Sequence, residues 1–138
     1  MDSESPAASG HERTERCDRL KLWTATYVAA WLRAFVFTQA VEGPLYRYVG
    51  KARWRVALGA SALTHPFVWF LFPYLLLVPG CSFAMMVGLA ELFAWSTETV
   101  FVRYFARLSW GRSALLSLLA NGASMLLGTL VRAWTGYP

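Results

Sequence analysis

The chain repeats a pattern of charged and aromatic residues at a spacing of 56 positions, laid over four apolar stretches. This shift aligns residues 34–61 with residues 90–117 and gives seven identical pairs in 28, where such a composition gives roughly two by chance. Each copy reads as an apolar helix, a glutamate, a basic and aromatic connector, and a second apolar helix. The identical pairs are Ala34/Ala90, Phe37/Phe93, Glu42/Glu98, Arg47/Arg103, Tyr48/Tyr104, Trp54/Trp110 and Ser61/Ser117.

Each apolar stretch is long enough to cross a membrane, because about 20 helical residues cover the hydrocarbon core. We expect Gly43-Pro44 to end the first span and Pro66 to kink the second. Two spans per copy give both copies the same direction across the membrane. The sequence therefore predicts an all-α integral membrane four-helix bundle made of two tandem, parallel-repeated helical hairpins, within residues 20–138. The predicted spans are 20–41, 56–78, 82–105 and 113–134, and the repeat copies are 30–75 and 86–131.

The composition favours contact with a lipid bilayer, because 57% of the residues are apolar and only 15% are charged. Five of the eight acidic residues lie in the first 18 positions, and residues 1–19 have no apolar period, which predicts a disordered polar tail. The net charge of +5 comes from short connectors rather than a continuous basic face, so we expect no nucleic-acid partner.

The basic residues also predict an orientation. Connectors one and three contain seven of them and the opposite side five, which favours connectors one and three in the cytoplasm and both termini outside. Aromatic residues of the first connector, Tyr46, Tyr48 and Trp54, are interpreted as interfacial anchors. The seven basic residues are Arg47, Lys51, Arg53, Arg55, Arg103, Arg107 and Arg112.

Several ionisable side chains fall at membrane depth. Glu91 and Glu98 are seven residues apart and share one face of the third span. An ionised carboxylate at such depth costs at least about 2.5–3.5 kcal/mol, so it must be paired, hydrated or protonated. Arg33 and Glu42 share a face of the first span in the same way. Further polar groups lie on the second span at Ser61, Thr64 and His65, and on the fourth at Ser117, Asn121 and Ser124.

Two interpretations of these groups remain open. In the structural one, Arg33 neutralises a glutamate and the Ser, Thr and Asn side chains hold the helices together. In the functional one, the polar side chains converge on a site for an ion, a proton or a small solute. The candidate site residues are Glu91, Glu98, Asn121, His65, Arg33, Glu42, Ser117, Ser124 and Thr64.

No metal or cofactor site is expected, because no HExxH, CxxC or phosphate-binding loop is present in the sequence. We interpret Cys17 and Cys81 as independent thiols. The absence of a recognisable nucleophile makes an enzyme the less favoured class.

The run Glu91-x6-Glu98, the stretch from Ser117 to Ser124 and Thr64-His65-Pro66 resemble small uncharacterised bacterial multi-pass membrane proteins. The resemblance implies a prokaryotic inner membrane and no particular activity. The leading hypothesis is a transport or permeation component that forms a homo-oligomer or joins a partner membrane subunit. The second is an accessory or assembly subunit of a membrane complex. The third is an intramembrane enzyme that uses Glu91 or Glu98 as acid or base with His65.

Overall fold

A computed structural model describes the backbone of residues 6–135 and the side chains of residues 24–135. Within these ranges the protein is all-helical and contains no strand, which confirms the predicted class. Its elements are α1 (Pro6–Pro44), a π-helical segment (Leu45–Val49), α2 (Trp54–Phe70), a 3-10 segment (Phe72–Leu77), α3 (Phe83–Phe105) and α4 (Trp110–Thr135).

The chain divides into two compact units, residues 1–33 and residues 34–138. The first unit contains the N-terminal part of α1, and the side chains of its first 23 residues lie outside the described part of the chain. The disordered tail expected over residues 1–19 therefore stays a prediction. In the second unit α3 packs against both α2 and α4. The end of α1 joins them, because the Gln39 side-chain amide donates to the Leu58 carbonyl of α2 at 3.1 Å.

Two helices begin at serines that cap them. The Ser82 hydroxyl accepts a hydrogen bond from the Met85 backbone N–H at 3.2 Å and satisfies a free donor of the first turn of α3. Gly80 precedes this cap with φ +83°, a left-handed conformation that glycine adopts at little cost. Ser109 serves α4 in the same way and accepts from the Arg112 N–H at 3.4 Å.

The prolines lie where the helical geometry changes. The α-helix α1 ends at Pro44, as Gly43-Pro44 predicted, and the chain continues as a π-helical segment to Val49. The wider i→i+5 spacing of a π turn allows the helix to continue beyond a proline that cannot donate. In α2 the helix runs through Pro66 and ends at Phe70. The change to 3-10 geometry comes at Pro73, within the first turn of that segment, where a missing N–H costs little.

Three helical stretches are long and apolar enough to cross a membrane: Trp54–Leu77, Phe83–Phe105 and Trp110–Thr135. They match the predicted second, third and fourth spans to within a few residues and indicate a membrane protein. At most 33% of the most apolar part of each is buried inside the chain, so most of this apolar surface faces outward, as lipid requires. The predicted first span, in α1, is not among these three stretches of the described residues.

The two basic connectors share their local geometry. Lys51 and Arg107 are the non-glycine residues with positive φ in the described part of the chain, at +52° and +56°. Tyr48 packs edge-to-face on Trp54 at 6.1 Å, and Tyr104 packs on Trp110 in the same way at 6.2 Å. Because α2 and α4 begin at these two tryptophans, the two connectors join the helices that follow them with the same local geometry.

The core of the second unit is built from small residues around one tyrosine. Ala57, Ala60 and Ala120 are fully buried, and Tyr46 and Val102 lie with them. Small side chains let transmembrane helices approach closely, so polar groups on facing helices come within hydrogen-bonding distance. This close packing positions the carboxylates of α1 and α3.

Candidate functional site

Glu98 lies at the centre of the second unit with 1% of its surface exposed. Its Oε2 accepts hydrogen bonds from the Tyr46 hydroxyl at 2.6 Å and from Asn121 Nδ2 at 2.7 Å. Its Oε1 accepts from the Thr64 hydroxyl at 2.7 Å. The three donors come from the π-helical segment, α4 and α2. Glu98 therefore connects these three elements to α3.

Glu42 forms a second buried carboxyl group near the end of α1, also with 1% of its surface exposed. The Ser124 hydroxyl of α4 donates to its Oε1 at 2.5 Å, and the Ser61 hydroxyl of α2 donates to its Oε2. Glu42 thus connects α1 to the same two helices that reach Glu98.

The two carboxyl groups are linked through α2 and α4, where side chains bonded to one group contact the backbone of residues bonded to the other. The Thr64 hydroxyl lies 3.3 Å from the Ser61 carbonyl as well as beside Glu98. The Ser124 hydroxyl lies 3.0 Å from the Asn121 carbonyl as well as beside Glu42. Each hydroxyl has one hydrogen and donates to one of its two acceptors at a time. We call this set the Glu42–Glu98 network; it consists of Glu42, Tyr46, Ser61, Thr64, Glu98, Asn121 and Ser124.

Neutral groups supply every hydrogen bond to these carboxyl groups within residues 34–135. Burial raises the pKa of the Tyr46 hydroxyl above its ordinary value, and the Glu98 carboxylate raises it further, so Tyr46 keeps its proton and donates. A carboxylate at membrane depth needs a countercharge, water or a proton. Within residues 34–135 no basic side chain hydrogen-bonds to either carboxyl group to supply that countercharge.

Tyr46 is the residue that sequence reasoning missed. The sequence interpretation made it an interfacial anchor, and this is wrong, because its side chain is fully buried and bonds to Glu98. The repeat contained a usable signal, since position 46 aligns with Val102, an apolar residue that is also fully buried. Tyr48 and Trp54 are exposed, as anchors would be.

Of the predicted site residues, Glu42, Thr64, Glu98, Asn121 and Ser124 come together in the network. Ser117 supports it, because its carbonyl accepts from Asn121 Nδ2 at 3.0 Å. The Ser117 hydroxyl itself donates to the Trp95 carbonyl at 3.1 Å, which joins α3 and α4.

The other three candidates lie elsewhere. His65 is buried, with Phe35 packed edge-on against its ring at 5.2 Å and Trp69 stacked on it at 6.0 Å. Arg33 is exposed and belongs to the first unit. Glu91 is half-buried in an apolar groove of about 670 Å³ between α3 and α4, which Asn121 also lines. Within residues 24–135 its carboxylate has no hydrogen-bond or ion-pair partner.

Within residues 24–135, no group of three His, Cys, Asp or Glu side chains is placed to hold a metal ion. No protein-family model, curated protein or solved structure matches the chain. The site therefore consists of two buried carboxyl groups, each of which accepts hydrogen bonds from hydroxyl groups, with an amide as a further donor to Glu98.

Proposed function

We propose that the protein is a small multi-pass membrane component that passes protons, or a small cation in their place, through the Glu42–Glu98 network. The observation that carries this proposal is a pair of fully buried carboxyl groups bonded to neutral donors and joined through α2 and α4. Carboxyl groups inside membrane proteins mark ion pathways and proton relays. Hydroxyl groups suit a relay, because each both donates and accepts.

The groove between α3 and α4 provides access to the network. Asn121 lines this groove and donates to Glu98, and Glu91 lies half-buried on the same groove. Glu91 is therefore the outer carboxyl group of the proposed route and Glu98 the inner one. A single copy with so few helices does not enclose a complete pathway, so the proposal includes a homo-oligomer or a partner membrane subunit.

Proton flux into liposomes tests this function directly. We expect the reconstituted protein to dissipate a pH gradient, and Glu98→Gln to abolish the flux, because the amide keeps the size of the side chain but cannot exchange a proton. Thr64→Val should slow the flux, because it removes a hydroxyl bonded to Glu98. An internal pH-sensitive dye measures the rates.

Thr129→Val is the matched control for Thr64→Val. Among residues 24–135, the Thr129 hydroxyl bonds only to the Met125 carbonyl of its own helix, at 2.8 Å, and its side chain is exposed. This variant should transport at the wild-type rate. If Glu98→Gln folds and conducts as the wild type does, the network is not the pathway.

A second candidate function is an accessory subunit. It is favoured by the position of Glu91, a carboxylate without a hydrogen-bond partner among residues 24–135, inside an apolar groove. Amide, hydroxyl or basic side chains on a partner helix would satisfy it, as polar groups do between transmembrane helices. Purification in mild detergent, followed by mass spectrometry of bound proteins, tests this candidate, since Glu91→Leu should release such a partner; a wild-type protein that binds a partner but carries no proton flux would favour it over the first.

We infer further that α1 supplies a fourth span and that two hairpins form a parallel repeat. Glu42 of α1 bonds to α2 and α4, which supports a fourth helix packed in the bundle. The repeat is supported by Lys51 and Arg107, which share a left-handed backbone at equivalent positions, and by the paired Tyr–Trp contacts. A rotation about the membrane normal would relate the two copies.

The proposed location is a bacterial inner membrane, with connectors one and three in the cytoplasm and both termini outside. Cys81 is a free thiol in the turn between α2 and α3 and is only partly buried. In a Cys17→Ser background, a membrane-impermeant maleimide should label it in intact spheroplasts.

The control is a thiol in the third connector, which is proposed to lie on the opposite side of the membrane from Cys81. With both native cysteines changed to serine, a cysteine at the exposed position of Ser109 should react only after the membrane is permeabilised. The reverse pattern for the two thiols would invert the proposed orientation.

A further inference from the structure

A cavity of about 310 Å³ lies where the first connector meets α4. Two cationic side chains line it, Lys51 from the connector and Arg112 from the first turn of α4. Its other walls are apolar and include Val49, Leu115 and Leu119. The cavity is separate from the Glu42–Glu98 network and takes no part in the proposed proton route.

Gly50 is the residue that brings the connector close enough to α4 to form this cavity. A Cβ at position 50 would lie 2.5 Å from Leu116 Cδ2 and 2.7 Å from the Tyr46 carbonyl oxygen. Only glycine permits that approach without displacing the backbone. Lys51 follows with φ +52°, a conformation that L-residues adopt at a cost of about 1–2 kcal/mol.

The charge around the cavity has one sign. The acidic residues among positions 24–135 are Glu42, Glu91 and Glu98, and none of them lines it. Lys51 and Arg112 are both exposed, so an anion can reach them.

The apolar walls indicate that the anionic ligand also has an apolar part. Leu115 and Leu119 are four residues apart, so they form a continuous strip on one face of α4. The strip leads from the cationic end into the membrane-spanning stretch Trp110–Thr135. We propose that the cavity binds an anionic phospholipid, with its phosphate between Lys51 and Arg112 and one acyl chain along Leu115 and Leu119.

The repeat supplies a matched control for this site. Arg107 occupies the position equivalent to Lys51 and has the same left-handed backbone, but it does not line the cavity. Val56 occupies the position equivalent to Arg112, so the cationic pair is not duplicated. Arg53 is exposed on the first connector and also lies outside the cavity lining. The double change Arg53→Gln with Arg107→Gln therefore removes the same charge from the two connectors.

Native mass spectrometry of the full chain in mild detergent measures lipid retention, with phosphatidylglycerol, phosphatidylcholine or inorganic phosphate added. We expect the wild type to retain one phosphatidylglycerol in preference to phosphatidylcholine. Lys51→Gln with Arg112→Gln should weaken retention about 30-fold. This figure doubles the binding energy that a single basic residue contributes next to an anionic lipid, because two such residues are removed. The double control and the charge-preserving pair Lys51→Arg with Arg112→Lys should retain the lipid.

Three results would overturn the proposal. Equal loss in the test and control doubles would mean that the connectors attract lipid only through their net charge. Retention in the Lys51→Gln, Arg112→Gln double would remove the cationic pair from the site. Displacement of phosphatidylglycerol by inorganic phosphate at comparable concentration would assign the cavity to a free anion.

Discussion

Replacing Glu98 with leucine should lower the free energy of unfolding by about 2–6 kcal/mol, because the Tyr46 hydroxyl and one Asn121 N–H lose their acceptor, whereas Thr64 keeps the Ser61 carbonyl. The leucine fills a similar volume but leaves Tyr46, Thr64 and Asn121 facing an apolar group. Each unsatisfied buried polar group costs about 1–3 kcal/mol. Thermal unfolding in detergent, followed by circular dichroism, measures the change.

Glu98→Gln is the informative comparison for the leucine variant. With its amide oxygen at the position of Oε2, the glutamine still accepts from Tyr46 and Asn121, and the Thr64 hydroxyl can rotate to accept from the new NH2 group. The expected loss is about 1 kcal/mol. If the Glu98→Leu variant is as stable as the wild type, the network contributes nothing to the free energy of unfolding. Its donors would then bond to water or to other groups.

Gly50→Ala should be the second strongly destabilising change, costing about 1–3 kcal/mol because the added methyl group overpacks a tight contact. The new Cβ would lie 2.7 Å from the Tyr46 carbonyl oxygen, which belongs to the backbone and cannot rotate away. Either the connector or Leu116 must move. The same thermal unfolding measurement applies.

Gly111→Ala serves as the control for the change at position 50. A Cβ at Gly111 meets nothing within 4 Å, and the position lies in α4, where alanine is the better helix former. This variant should be as stable as the wild type or slightly more stable. If both alanine variants unfold at the same temperature, the close approach at Gly50 is not required.

Much of the architecture was predictable because helices of a membrane protein follow from length and apolarity. The third span was predicted at 82–105, and α3 is Phe83–Phe105. The Ser82 cap marks its start, and the cap is a local feature that the sequence shows directly. The end of α1 at Pro44 was predictable from Gly43-Pro44, but the π-helical segment Leu45–Val49 that follows was not, because no local sequence signal marks it.

The candidate site was predictable in part for a related reason. Glu98 and Asn121 are polar residues in apolar helices. Their burial was predictable from the free-energy cost of exposing such side chains to lipid. Tyr46 lies in a connector rich in basic and aromatic residues, where tyrosine is normally an interfacial residue. Its burial depends on the alanines of α2 and α4, which leave room for its ring. The burial of Tyr46 therefore follows from tertiary packing, which the neighbouring residues in the sequence do not show.

The bond between Glu42 and Ser124 has a consequence for biosynthesis. The two residues are 82 positions apart, so at translation rates of about 5–20 residues per second Glu42 precedes its partner by several seconds. During that interval Glu42 Oε1 lacks the hydrogen bond that the Ser124 hydroxyl later donates. A chain that stops before α4 cannot form this bond, so completion of the contact requires that α4 has been synthesised.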